Sequence, residues 1–275
     1  MEIMNKILLI GCGHMGSALL DAWLGLKLYS FDVVDPFNFK ILNKKYLKNN
    51  VRIFNETPTQ IEIKKYDIII FAIKPQVANK VIAQYKNFEF KKNSVIASII
   101  AGKKILFFKN NIKNAIQLVR VMPNMPALIN QGISCLIGNK NFTKSNQKKI
   151  NELFLKVGET IWFSEERQID MATAISGSGP GYIFTLIDAF EKASQKIGFS
   201  KKISRVLVLS TFLGSAKLMQ QTNKEPHYLA NSIAVKGGTT EAGIKVLKKN
   251  NINKIMHNTF LSAFKKASKL GKEND

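Results

Sequence analysis

The chain is 275 residues long and 45% hydrophobic, with a formal net charge of +22; that is enough apolar material for one large domain or two ordinary ones, which excludes a disordered chain. Its longest apolar runs, "DIIIFAI" (67–73) and "SVIASIIAG" (94–102), fall short of the roughly 18 residues that span a bilayer, and its two cysteines, Cys12 and Cys135, demand no oxidising compartment, so a cytoplasmic chain without a membrane partner is expected. The charge comes almost wholly from lysines scattered among Asn and Ile, with arginine only at Arg52, Arg120, Arg167 and Arg205; lacking Arg clusters and interleaved aromatics, the chain is not expected to bind nucleic acid.

The first stretch, "MEIMNKILLIGCG", has an acid at Glu2 and a short apolar run leading into a glycine turn; it reads as a first strand and not as a secretory signal. From there to about residue 163, short β-branched runs ("KILLIG", "FDVVD", "YDIIIFAI", "SVIASI", "AIQLVRV", "ISCLIG", "ETIWF") alternate with amphipathic stretches such as "MGSALLDAWLGL". That βαβ rhythm predicts a parallel sheet with right-handed crossovers. After Ser164 the strand signals stop, and helices are predicted over residues 165–175, 182–197, 204–221, 240–249 and 253–270. Ile183, Phe184, Ile187, Phe190, Ala193 and Ile197 recur at the spacing of one apolar helical face, and so many apolar positions in a small bundle imply a second copy that covers them.

"GCGHMG" (11–16) has the spacing G-x-G-x-x-G between the first strand and the first helix. Gly11 permits the turn, Gly13 lets backbone approach a pyrophosphate and Gly16 lets helix pack on strand, while the helix N-terminus attracts phosphate. The bland alternative is a set of turn glycines, with Cys12 a small residue lining the turn. The expected fold class is therefore an α/β N-terminal Rossmann-type domain with a parallel sheet (1–163, NAD(P)-binding), followed by an all-α C-terminal domain for dimerisation and substrate binding (164–275). Asp35 lies 24 residues beyond Gly11, at the end of "FDVVD". There a carboxylate can accept from both hydroxyls of an adenosine ribose and repels a 2′-phosphate, favouring NADH over NADPH; the lesser alternative is a turn residue before Pro36.

Two later strand ends stand out, "FAIKPQ" (71–76) and "VRVMPNMPALINQG" (119–132), and so does "AISGSGPGY" (174–182), which joins two helices with almost no side-chain bulk. Each has a plain reading, a strand exit blocked by Pro or a close helix crossing, and a functional one, a backbone surface for a ring to lie on. "AVKGGTTEAGIKVL" (234–247) is a second glycine turn opening a helix, again a place for an anion.

Taken in order, "GCGHMG", "AIKP", "VRVMPNMPA", "SGSGPGY" and "GGTTEA" resemble the pyrroline-5-carboxylate reductases over essentially the whole chain. The resemblance implies reduction of 1-pyrroline-5-carboxylate to L-proline with NAD(P)H, an interlocked homodimer, and assemblies up to a decamer. It implies cofactor contacts at Gly11, Cys12, Gly13, His14, Met15 and Gly16 and at Ala72, Ile73, Lys74 and Pro75, with Asn55 and Ala101 placed by position alone. For the substrate it implies Glu166, Ser176, Gly177, Gly237, Gly238, Thr239 and Thr240, with Thr240 hydrogen-bonding the imine or amine nitrogen. This chain departs from the family's usual Thr-Ser-Pro before the paired glycines, having Ala234, Val235 and Lys236, and it has Ser232 where some members place Asn. His14, His227 and His257 are isolated and begin no metal-ligand spacing. The alternatives are a reductase of the same plan acting on another imine or a keto acid, and a non-catalytic NAD(P)-binding regulator.

Overall fold

A computed structural model describes residues 4–272; Glu2 and the last three residues lie outside them. The apolar runs become strands with both faces covered, as their near-continuous hydrophobicity requires. In β1 (Asn5–Ile10), Ile7 and Leu9 join one core cluster while Leu8 and Ile10 join the other. β2 (Tyr29–Val34), β3 (Arg52–Phe54), β4 (Ile68–Phe71), β5 (Val95–Ser98) and β6 (Gln117–Pro123) run parallel to it, and the sheet order is β3-β2-β1-β4-β5-β6, continued by β7 (Gly132–Gly138) and β8 (Gly158–Trp162). Helices α1 (His14–Trp23), α2 (Phe39–Tyr46), α3 (Gln60–Ile63), α4 (Ala78–Ala83), α5 (Ile105–Asn111) and α6 (Lys144–Leu155) lie between the strands in sequence.

The sheet is not parallel throughout. β7 pairs antiparallel with β6, and β8 follows β7 in parallel, so both oppose the other six strands. The connection at 124–131, containing a 3-10 turn (Met125–Ile129), is too short for a parallel crossover of about a dozen residues. Trp23 anchors the first core cluster: it is fully buried, stacks with Phe31, meets Phe154 edge-on and donates its indole N–H to the Leu153 carbonyl at 2.8 Å.

Asp32 is buried on β2 and bonded by Arg52 (2.7 Å) and the Tyr66 hydroxyl (2.8 Å), with Lys6 at 3.3 Å. Burial alone would raise its pKa, but these three donors outweigh burial and hold it below the ordinary 3.8. The depressed folded pKa contributes stability above the unfolded value of about 3.9 that is lost as pH falls through the lower folded value. Urea unfolding from pH 5 to pH 2 is expected to show this acid loss, flattened in Asp32→Asn; identical pH slopes for both proteins would refute it.

After β8 come α7 (Glu166–Ala172), a π-helical turn (Thr173–Gly177), α8 (Gly179–Lys196), α9 (Lys201–Thr222), α10 (Pro226–Ile233), α11 (Thr239–Lys249) and α12 (Ile252–Lys272). The change from α/β to all-α therefore follows β8, but the compact units divide elsewhere. One takes the chain to Ser178 together with residues from Ala263 onward; the other is Gly179–Ser262. Among the described residues of this second unit only Glu191, Ser204 and Val208 are buried, while Phe184, Ile197 and Leu213 are more than half exposed. A unit with so little interior of its own is built to be covered.

Candidate active site

The glycine turn is shaped by close approach. Gly11 has φ +91°, and a Cβ there would lie 2.7 Å from the Ala72 carbonyl; a Cβ on Gly16 would lie 2.4 Å from the Gly11 carbonyl. Both positions exclude side chains because backbone occupies the space. Gly13 differs: it caps α1 with an extended backbone, and a Cβ there would meet nothing within 4 Å. It lines an open cavity of about 930 Å³ beyond the carboxyl ends of β1, β2 and β4, together with Gly11, Asp35, Asn55, Ala72, Ile73 and Lys74. The residues fit a dinucleotide: a bare backbone cradle, the N-terminus of a ten-residue helix, and room for an extended ligand.

Of the expected cofactor residues, Cys12, His14, Met15, Gly16, Pro75 and Ala101 are not part of that cavity wall. Cys12 contributes its amide, which donates to Asp35 at 2.7 Å, while burial pushes its thiol up to about 11, so it stays a protonated thiol lining the turn. Asp35 is itself buried and also bonded by the Asn38 amide (2.9 Å) and the Asn38 side chain. Its oxygens brace the glycine turn against the loop after β2. Both oxygens already accept bonds from the chain, and Asp35 also lines the cavity.

Sequence reading missed other residues of the wall, among them Phe37, Thr57, Val77, Lys80, Val81, Gln84 and Tyr85. A signal existed, since Val77, Val81 and Gln84 follow the i, i+4, i+7 spacing of one helical face.

Glu166 is committed to structure. Its carboxylate accepts from the Ile105 amide at 2.8 Å, at the start of α5, and from Arg120 at 3.3 Å; one turn later Asp170 takes the other Arg120 nitrogen at 2.8 Å. The Glu166 carboxylate, expected near the substrate, is thus also a tie between α7, α5 and β6. Ser176 lies in the π-helical turn, donating to the Ala172 carbonyl. Asn124 ties that turn to the sheet, donating to the Ser176 carbonyl at 3.2 Å and accepting from the Ile133 amide at 2.9 Å. A Cβ on Gly177 would press to 3.1 Å from the Met122 methyl. A π-turn held this way is a common mark of function.

In the second unit, Gly238 caps α11 and Gly237 has φ +77°. The Gly237 amide donates to the Glu241 carboxylate (2.9 Å) and the Gly238 amide to the Val235 carbonyl (2.9 Å). The glycine amides are thus spent inside the turn. The amides free for an anion are the first three of the helix, at Thr239, Thr240 and Glu241. The Gly237 amide and Lys245 hold Glu241 below the ordinary carboxylate range, so it is ionised near neutrality. No group of three or more metal-ligating side chains occurs among the described residues, and none of the described helices is long and apolar enough to cross a membrane.

A six-stranded parallel core in the 3-2-1-4-5-6 order, a glycine cradle at its first crossover and a separate helical unit define an NAD(P)-dependent oxidoreductase of the two-domain plan. Pyrroline-5-carboxylate reductase of Methanosarcina acetivorans is 31% identical over 275 residues (98% of this chain, 99% of that one), and that of Pseudomonas aeruginosa is 33% identical over 207 residues (75% and 76%). The chain belongs to the pyrroline-5-carboxylate reductase family. Residues 166–270 match the pyrroline-5-carboxylate reductase dimerisation model, and residues 6–102 match that of the NADP oxidoreductases, coenzyme F420-dependent. The solved structure of the Coxiella burnetii reductase superposes with TM-score 0.88 at 26% identity, covering 97% of this chain and 98% of that one. The Plasmodium falciparum enzyme, solved with NADP bound, gives 0.83 at 27% identity (98% and 99%).

Proposed function

We propose that the chain reduces 1-pyrroline-5-carboxylate to L-proline with NAD(P)H, the final step of proline synthesis, in the cytoplasm. The observation that carries this reading is the Gly13 cradle opening on a dinucleotide-sized cavity in a chain of this family. When bound, NAD(P)H supplies the hydride. The residues of the chain hold and orient. The α1 N-terminus and the Gly11–Gly13 backbone bind pyrophosphate, and Ser176 and Gly177 offer a low, stiff surface for substrate. The α11 N-terminus binds the substrate carboxylate through the Thr239 and Thr240 amides, and the Thr240 hydroxyl donates to the ring nitrogen as it gains electron density.

One assay tests the activity: oxidation of NADH and of NADPH, each with pyrroline-5-carboxylate, followed at 340 nm. Turnover with a keto acid but none with the pyrroline would move the chain to another reductase class. NADH is the preferred cofactor in this reading, because the buried Asp35 charge lies in the cavity wall where a 2′-phosphate would meet it. A clearly higher kcat/KM with NADPH would defeat that part alone. Thr240→Ala is expected to lower kcat/KM for the pyrroline about tenfold, the worth of one hydrogen bond made in the transition state, with Thr240→Ser restoring most of it. Unchanged kinetics in Thr240→Ala would remove the assignment.

Assembly belongs to the same proposal. A homodimer covers the exposed apolar faces of α8 and α9, and dimers build further to a decamer; light scattering at several concentrations reads the size.

A further inference from the structure

The turn that joins α7 to α8 has little side-chain bulk, and nothing in its own sequence makes it stiff. Its backbone is also short of helical partners. The π-helical stretch Thr173–Gly177 closes with the Ser178 amide on the Thr173 carbonyl at 2.8 Å, a step of five residues instead of four. Four residues beyond Ser176 stands Pro180, which has no N–H to give and whose ring crowds the carbonyl four residues back. The Ser176 carbonyl is therefore denied its ordinary helical donor.

Asn124 supplies one. It follows the carboxyl end of β6, and because β1, β4, β5 and β6 run parallel this is the edge of the sheet that carries the glycine cradle. Its Nδ2 donates to the Ser176 carbonyl at 3.2 Å. The ladder between β6 and β7 ends at the pair Pro123 and Ser134; one step further, Asn124 Oδ1 accepts from the Ile133 amide at 2.9 Å, so the side chain takes the place of the next rung. The Asn124 carbonyl accepts from the Ala127 amide at 3.1 Å and starts the 3-10 turn. The place needs a donor and an acceptor on separate atoms of one short side chain, facing a carbonyl and an N–H respectively, and this also fixes which way the amide points. The Ser176 hydroxyl is turned back onto the Ala172 carbonyl at 2.9 Å, with the Cys135 sulfur 3.9 Å away.

We propose that Asn124 is a positioning residue for the reduction: it acts through Ser176, holding the backbone of the π-helical turn against the sheet while substrate lies on it. This rests on the reading that Ser176 and Gly177 meet the substrate. The two bonds of Asn124 can be separated. Asn124→Asp keeps the size and the acceptor for the Ile133 amide, but the ionised carboxylate has no hydrogen to give the Ser176 carbonyl. Asn124→Ala loses both bonds.

The test is steady-state kinetics at pH 8 with NADH and pyrroline-5-carboxylate, beside NADH dissociation constants from nicotinamide fluorescence and thermal melts, for wild type and both variants. Asn124→Asp is expected to raise KM for the pyrroline about tenfold, the size of one hydrogen bond, and at least as much as Asn124→Ala does. Its kcat should stay within about threefold and its NADH affinity within about twofold of wild type, since a loosened substrate surface costs binding before it costs chemistry. A wild-type KM in Asn124→Asp overturns the proposal, because the bond to β7 would then be the one that counts. So does a parallel loss of NADH affinity, which would mean a distorted sheet edge, and so does loss of the fold in Asn124→Asp, which would make the residue structural. If the wild type does not reduce the pyrroline, the parent reading fails first and the positioning role falls with it.

Discussion

Gly13→Val is expected to weaken binding of NADH and NADPH by at least about 100-fold, or roughly 2.8 kcal/mol, while leaving the melting temperature of the free protein unchanged. The separation of the two effects follows from where a side chain would go. Gly13 has φ −73° and extended ψ, which a β-branched residue adopts without strain, and its Cβ would face open space. The methyl groups would occupy the place where phosphate oxygens meet the α1 amides. Gly11 and Gly16 would behave differently. An alanine at Gly11 has to adopt φ +91° against the Ala72 carbonyl, and one at Gly16 meets the Gly11 carbonyl, so both variants should lose stability as well as binding. Calorimetric titration beside thermal melts distinguishes the cases. Gly13→Val binding within threefold of wild type would mean that the cradle is not the phosphate site.

Arg120→Ala is expected to destabilise the first unit by about 3–5 kcal/mol, the usual result of stranding a buried charge, and to lower its melting temperature by roughly 6–20 °C. Arg120 is 3% exposed on β6, and Asp170 is 5% exposed one helical turn beyond Glu166. With the guanidinium gone, Glu166 keeps the Ile105 amide, while Asp170 loses its 2.8 Å ion pair with Arg120. Arg120→Met combined with Asp170→Leu should recover much of the loss, because an apolar pair of similar volume needs no desolvation. A single Arg120→Ala variant as stable as wild type would show that the pair contributes nothing. These three charges tie β6 to α7, directly before the π-helical turn that carries Ser176 and Gly177. Loosening the network should therefore also raise KM for substrate.

The parts of this molecule written in the sequence are those with a strong period or a steric demand. Alternation of Ile7 to Ile10 between two core clusters follows from an unbroken apolar run, and the paired glycines at 11 and 16 follow from backbone contacts that no other residue permits. Elements set by context were harder to read. β3 is three residues, too short for any pattern, and is placed by pairing with β2. α10 begins at Pro226 and has no buried residue, so the chain alone gives it no apolar stripe to betray it. The antiparallel turn of β7 was legible only in the shortness of the 124–131 connection. In the site, the motifs mark the residues of the cradle but not what else their neighbours hold. Asp35 and Glu166 sit where a ligand-binding carboxylate is expected, yet both spend their oxygens on amides and side chains of the chain itself. Hydrogen-bond partners distant in sequence leave no trace at the residue that recruits them.

α12 begins in one compact unit and ends in the other, since the division falls at Ala263, within Ile252–Lys272. The dinucleotide-binding unit is thus discontinuous in the gene. Its last piece carries Leu270, against Gly102, and Gly271, beside Lys104, so a fragment ending at Ser178 would leave the chain after β5 uncovered. The two units are joined by two covalent crossings, and no single proteolytic cut can release either one. Evolutionary exchange of the helical unit for another must splice at two points in the reading frame, the second of them in the middle of a helix, where register has to be kept to the residue.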